Sequence, residues 1–415
     1  MKTWELRLPE LDFDTLISPV SREQFFSEYW ETKPLRISKR QPDYYAPLVS
    51  GSDIDYLLSA ACLLDREGVE LLGSRELREA LDKKPASALY KAYRQGASFR
   101  IRGINRFWKP IWTLCIRMEE LFGFQVAANL YCTPADSRAL DRHYDLHDTM
   151  LLQVAGRKNW RVFGSPIELP LEYVPLMKFE RSIDGVQYRG APVIRDVTAK
   201  YEPTEPIDEF VLEPGDLLYL PRGVVHEARS ADSISAHVTI GIYPVTWVDL
   251  IAVALGQLGY QDVRLRKALP VGFNSADASI KEEFDKLLNE VARCADVSKA
   301  VEEISASLTW NQQAIGEGSI TDSEPRSIDV ETVVERRPGL SCRFVMDGDF
   351  VRLAASHGDL SLPKYFAKAI RFVSENQNFS VGAIPGGLSD HSKIMLARRL
   401  INDGFFRVAK NSVHN

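Results

Sequence analysis

The run DRHYDLHDTMLLQVAGRKNWRVFG, residues 141–164, changes character in its middle. Its first ten residues hold two histidines and three aspartates, in a chain with only 7 histidines. Two short β-rich runs then flank Ala155-Gly156, which reads as a hairpin turn. On a strand, residues i and i+2 point to one side, so His143, Asp145 and His147 can share a face and a metal. Alternation alone does not rank the three. A further ligand must come from elsewhere, and the candidates are His226 in YLPRGVVHEA and His237 in SISAHVTIG. Two histidines and one carboxylate on one face, with the remaining positions open, form the donor set of a non-haem iron(II) oxygenase.

The surroundings support a β-rich core. QVAANLYCT (125–133), EFVLEPGDLLYLP (209–221) and SAHVTIGIY (235–243) are short runs of strand character separated by Gly, Pro and Asp. Glu213–Asp216 reads as another turn, and several short strands with turns between them predict a sandwich or barrel. A ligand pair beside one such run, with a histidine after another about eighty residues on, is the order of a double-stranded β-helix. That fold brings its second and seventh core strands together around iron. Residues 169–208 are polar and proline-dotted, long for a loop and therefore of functional interest.

Helical patterns flank this core. Ser21-x-x-Gln24 ahead of Phe25, Phe26 and Trp30 predicts a capped amphipathic helix, and INRFWKPIWTLCIRMEELFG leads into a helix that stops at Gly123. After Trp247 come VDLIAVALGQLGY and the amphipathic SIKEEFDKLLNEVARCADVSKAVEEISASL. Amphipathic helices outside a β core bury their apolar faces against a partner subunit. From about Ser341 a hairpin-like SCRFVMDGDFVRLA and two further helical patterns resemble a winged-helix domain. The expected fold class is α+β. A double-stranded β-helix with N-terminal helices spans 1–248, a helical dimerisation region 249–338 and a winged-helix-like domain 339–415.

Composition narrows the function. Among 415 residues, 51 Lys and Arg face 57 Asp and Glu, for a net charge of -6. That balance argues against a surface built for bulk nucleic-acid binding. The N-terminus lacks the apolar core of a signal peptide, and no run reaches the roughly 18 apolar residues of a membrane span. The 5 cysteines are scattered and never fall as CxxC, which predicts reduced thiols and a cytoplasmic protein.

The stretch NLYCTPADSRALDRHYDLHDTMLLQVAGRKNWRVF, followed by LEPGDLLYLPRGVVHEARS and SAHVTIGIY, resembles the JmjC-type ribosomal oxygenases. These belong to the cupin-like 2-oxoglutarate-dependent hydroxylases. FFSEYWETKPLRISKR and LPVGF extend the resemblance to nearly the whole chain. It implies that His143, Asp145 and His226 hold Fe(II). It places the cation for the distal carboxylate of 2-oxoglutarate at Lys158, a helping hydroxyl at Thr239, and pocket-lining positions at Asn129 and Tyr131. His237 then falls to packing, and His147 stands near the metal but not on it.

The implied reaction consumes O2 and 2-oxoglutarate, releases succinate and carbon dioxide, and places a hydroxyl on a substrate C–H. The implied substrate is an arginine or histidine side chain of a protein or peptide, foremost a ribosomal protein, and the implied assembly is a homodimer. Asp141, Asp148, Glu172, Glu180 and Asp184 would suit a cationic peptide at the mouth. The resemblance departs at ADSRALDR (135–142), where the family has a glycine-containing loop and this chain has charge. That departure opens the alternative of a biosynthetic peptide or small metabolite. A winged-helix DNA-binding regulator and an N-methyl-lysine demethylase are the remaining readings.

Overall fold

The computed structural model describes residues 11–38, 41–64, 68–72, 86–165, 168–171, 180–183, 186–189, 205–271, 278–310, 327–337, 340, 342–355 and 358–409. The chain divides into two compact units, Met1–Val301 and Glu302–Asn415.

The first unit contains β1 (Leu35–Ile37), β2 (Val69–Leu72), β3 (Ser98–Ile101), β4 (Gln125–Thr133), β5 (Asp148–Ala155), β6 (Lys158–Val162), β7 (Glu180–Ile183), β8 (Val186–Arg189), β9 (Asp208–Leu212), β10 (Leu217–Leu220), β11 (His226–Ser230) and β12 (Ser235–Tyr243). A seven-stranded sheet runs β1-β10-β5-β12-β4-β3-β2, a three-stranded sheet runs β11-β6-β9, and β7 pairs with β8. The two larger sheets make a double-stranded β-helix, as the β-rich pattern predicts.

The side-chain period of two decides where each strand residue goes. On β10, Leu217 and Tyr219 join one apolar cluster while Leu218 and Leu220 join another. On β5, Met150 and Leu152 divide from Leu151 in the same way. The first cluster lies on the outer face of the large sheet and includes Phe13, Leu16, Phe25, Leu57 and Leu114 from the helical segments. The second includes Trp160, Val162, Phe210 and Leu212 of the small sheet. Because both faces are covered, these strands read as nearly continuous apolar runs.

Two turns differ from the expectation. Ala155-Gly156 and Glu213–Asp216 are not hairpin turns: β5 and β6 lie in different sheets, as do β9 and β10. Each turn is a corner where the chain crosses between sheets. Gly156 has φ 62 there, and an added Cβ would stand 1.6 Å from the Ile234 carbonyl oxygen, so only glycine fits. The corners lie side by side, with Gly215 N–H donating to Gln153 O at 2.9 Å and Gln153 N–H to Asp216 O at 3.0 Å.

The helices follow their sequence signals. Ser21 caps a short helix by accepting from Gln24 N–H at 3.1 Å, and this helix continues into a π-turn at Phe25–Tyr29. The helix Lys109–Phe122 ends at Gly123, whose φ of 69 suits a glycine stop. Thr246 and Asp249 form a reciprocal capping box at the start of the helix Trp247–Gln261.

The second unit has its own core. It contains β13 (Val333–Arg336), β14 (Cys342–Asp347), β15 (Phe350–Ala355), β16 (Gly358–Pro363), β17 (Asn378–Ser380) and β18 (Phe406–Val408), with helices Ala367–Glu375 and Asp390–Asn402. Its sheets run β17-β13-β18 and β14-β15-β16. The predicted hairpin is β14–β15, turning at Gly348 with φ 59.

Candidate metal centre and dicarboxylate pocket

His226 opens β11, just after the Pro-Arg-Gly turn. His143 lies outside regular strand in a bridge to it: His143 N–H donates to His226 O at 3.1 Å and His226 N–H to His143 O at 2.8 Å. Residues 143–147 are therefore not the continuous strand that the alternation rule assumed, and β5 begins only at Asp148. Asp145 is held by its carbonyl, which accepts from Gly223 N–H at 3.0 Å, and by Thr149 Oγ1, which donates to its Oδ2 at 3.3 Å.

These residues converge. Ligand atoms from His143, Asp145 and His226 all lie within 4.8 Å of one another. His143 Nε2 stands 3.9 Å from Asp145 Oδ1, and His226 Nε2 stands 3.9 Å from Asp145 Oδ2. The other ring nitrogens face backbone carbonyls, His143 Nδ1 at 2.7 Å from Asp141 O and His226 Nδ1 at 3.0 Å from Val224 O. A carbonyl can only accept, so Nδ1 carries the proton in each ring and Nε2 presents its lone pair to the centre. Burial and the neighbouring His143 pull His226 down to about 4, which keeps it neutral and ligand-ready. Burial pushes the Asp145 carboxyl up, but the three surrounding histidines outweigh it and hold it below the ordinary value.

His147 does not join them. Its ring stacks on Tyr243 at 4.6 Å and fills the space beside Gly241, where a Cβ would come within 2.7 Å of the imidazole. His237 stacks flat on Tyr131, centroids 5.0 Å apart, and burial lowers its pKa well below the ordinary value.

A cavity opens from the triad, and its lining includes Tyr131, Lys158, Trp160, His237 and Thr239. Lys158 is 3% exposed, and its Nζ finds Thr133 Oγ1 at the outer limit of 3.5 Å. No ion pair to Lys158 exists among the described residues. Burial pulls its ammonium down to about 8. Thr239 Oγ1, Trp160 Nε1 and His237 Nδ1 are buried without a hydrogen-bond partner among the described residues. A buried cation and unsatisfied polar groups around one cavity leave a demand that an anionic ligand meets.

Asn129 sits elsewhere. It pairs with Thr239 in the β4–β12 register, but its Oδ1 accepts from Gly103 N–H at 2.9 Å and it is not part of the cavity lining. Trp160 and Thr149 line the cavity although no sequence motif singled them out. For Trp160 the signal was present, since it stands two residues from Lys158 on β6 and shares its face.

On the face of β11 and β6 opposite the cavity-lining His226, Trp160 and Lys158, Arg138, Arg142 and Arg161 surround the nearly buried Glu227, whose oxygens lie 3.9, 3.3 and 3.0 Å from them. The expected acidic mouth is corrected in one respect. Asp148 is fully buried, accepting from Tyr219 Oη at 2.8 Å and Arg222 Nη1 at 2.7 Å. Asp141 is exposed, 4.0 Å from Arg138. Glu172, Asp184 and the Glu180 side chain lie outside the described residues.

A double-stranded β-helix whose mouth gathers two imidazoles and a carboxylate beside a buried lysine defines a JmjC-type fold. Residues 104–250 match the JmjC domain model. It is 32% identical over 277 residues to ribosomal oxygenase 2 of Rattus norvegicus, covering 63% of this chain and 55% of that protein. It is 31% identical over 273 residues to the bifunctional lysine-specific demethylase and histidyl-hydroxylase NO66 of Aedes aegypti, covering 63% and 40% of the two chains. The chain thus spans about half the length of the curated relatives it matches. Its fold is similar to that of the Escherichia coli ribosomal oxygenase YcfD, solved in complex with cobalt and 2-oxoglutarate. The TM-score is 0.50 at 17% identity, covering 92% of this chain and 97% of that one.

Proposed function

We propose that this chain is an Fe(II)- and 2-oxoglutarate-dependent dioxygenase that hydroxylates an amino-acid side chain of a protein or peptide. The observation that carries this reading is Lys158, a buried cation with no carboxylate partner among the described residues, in the same cavity as the His143–Asp145–His226 triad. The mixed nitrogen and oxygen donor set suits iron(II) and differs from a closed structural zinc site. Bound iron, with its cosubstrate, would supply the oxidation of a substrate C–H by O2.

The chain's own residues would do the rest. His143, Asp145 and His226 hold the metal. Lys158 pairs with the far carboxylate of 2-oxoglutarate, and Thr239 Oγ1 donates to it. Trp160 and Leu151 exclude water from one wall. Asn129 supports the pocket from outside by fixing the Gly103 turn. The 135–142 segment, drawn in by Glu227, borders the triad and selects what enters.

The relatives' names favour a ribosomal protein as substrate and histidine as the hydroxylated residue, with arginine the other side chain the resemblance implies. The reading is tested by succinate release from 2-oxoglutarate, which His143→Ala abolishes. It is also tested by mass spectrometry of ribosomal proteins from cells with and without the enzyme. Gain of one oxygen atom supports it, and unchanged masses point to a biosynthetic peptide or metabolite instead. The charged 135–142 segment favours that second reading. Formaldehyde release would mark demethylation.

The helices after β12 support a homodimer. Trp247, Ile251 and Tyr260 are 79%, 60% and 85% exposed, far beyond what a solvated helix needs. In the second unit, two helices and the β14–β15–β16 sheet support a winged-helix domain used for protein contacts. A steep salt-dependent affinity for DNA would assign it to a regulator. The 5 cysteines are free, which fits a cytoplasmic location.

A further inference from the structure

One row of side chains crosses the large sheet from its edge to the cavity. Glu70 on β2 faces Arg100 on β3, Arg100 faces Tyr131 on β4, and Tyr131 faces His237 on β12. Directly opposed residues lie on the same face of a sheet, so the four form a continuous ladder. Its contacts are specific. The Arg100 guanidinium is paired with Glu70, Nε to Oε2 at 3.1 Å, and its Nη1 donates to Tyr131 Oη at 3.0 Å. The Tyr131 ring lies within 3° of parallel to His237 and lines the cavity.

The proton count then decides what Tyr131 can do. A guanidinium only donates, so the phenol oxygen is the acceptor in the Arg100 bond. The phenol's single proton has no acceptor among the described residues. Arg100 thus fixes the oxygen from behind and leaves the O–H to serve a ligand in front.

We propose that Arg100 is a positioning residue for the dicarboxylate: held by Glu70, it orients Tyr131 so that the phenol donates its proton to 2-oxoglutarate. This rests on the functional reading above. Lys158 supplies charge, Thr239 a hydroxyl, and the Arg100–Tyr131 pair a donor of fixed direction. A donor polarised by a cation is stronger than a free phenol.

The test is the dissociation constant of 2-oxoglutarate, measured by calorimetry on the Mn(II)-loaded full chain without oxygen. Arg100→Met raises it about tenfold, the cost of one well-made bond to a charged ligand. Arg100→Lys recovers most of that loss. In a Tyr131→Phe background, Arg100→Met has no further effect. In turnover, the KM for 2-oxoglutarate rises while kcat holds. If Arg100→Met does not fold, Glu70→Gln loosens the guanidinium and raises the dissociation constant in the same direction. The inference is overturned if the Arg100 variant binds like the wild type, or if its loss is equally large without the Tyr131 hydroxyl. Failure of the wild-type chain to bind 2-oxoglutarate overturns the functional reading itself.

Discussion

Lys158 shows how a single residue trades stability for binding. Its ammonium ordinarily titrates at 10.5, and burial brings it to about 8. Between these values the unfolded chain holds a proton that the folded chain has lost, so the group's penalty on folding is full below pH 8 and relaxes as pH rises toward 10.5. The difference corresponds to about 3 kcal/mol at neutral pH. Lys158→Met is therefore expected to raise the melting temperature of the ligand-free protein at pH 7 while abolishing 2-oxoglutarate binding. A variant that both melts lower and binds normally would contradict this. The same titration sets the pH dependence of binding. An anion needs the charged lysine, so 2-oxoglutarate affinity is expected to hold below pH 8 and to weaken about tenfold per pH unit above it. Isothermal titration from pH 7 to 9.5 checks the slope. The motif around Lys158 was readable in the chain, but its burial was not. A lysine after Arg157 in a turn is ordinarily solvated, and only the large sheet, which brings Thr133, His237 and Thr239 over β6, removes the water.

At the scale of elements, the sheet corners decide whether the site forms. Gly156 carries the chain from β5 to β6, and Lys158 follows two residues later. Gly156→Ala would drive a Cβ into the Ile234 carbonyl in a left-handed backbone, so the expected result is loss of folding, seen as loss of the cooperative melt. Gly241→Ala is milder. Its Cβ meets the His147 ring, which must leave Tyr243, at a cost of about 1–3 kcal/mol in denaturant titration. Glu227 holds a different element. It draws Arg138, Arg142 and Arg161 together where the 135–142 segment meets β11 and β6. Glu227→Ala would leave three arginines to repel one another. Substrate KM is expected to rise more than the KM for 2-oxoglutarate, and steady-state kinetics with each varied in turn separates the two. Strand content was legible because both faces of β5, β10 and β12 are buried and give apolar runs. The corners look like hairpins in the sequence because a glycine turn is the same locally whether the chain folds back in one sheet or crosses to another.

At the scale of the molecule, the helix Trp247–Gln261 and its successors leave apolar side chains in water. Trp247 and Ile251 stand four residues apart on one face. A double variant Trp247→Glu, Ile251→Glu is expected to convert a dimer into a monomer in light scattering while the melt of the β-helix is kept. A monomeric wild type would remove the dimer reading. By itself the chain determined what is local: strand and helix periods, the cap at Ser21, the glycine stop at Gly123, and the crowd of metal-capable side chains at 141–148. These follow from one backbone's sterics and from short-range hydrogen bonds. The tertiary structure alone decided which histidines meet. His147 lies nearer to His143 along the chain than His226 does, yet His226 joins the triad because an antiparallel bridge sets it opposite His143, while His147 turns away onto Tyr243. The ladder from Glu70 to His237 was likewise invisible in the sequence. It spans four strands whose register depends on how distant segments pack, and no local propensity encodes that.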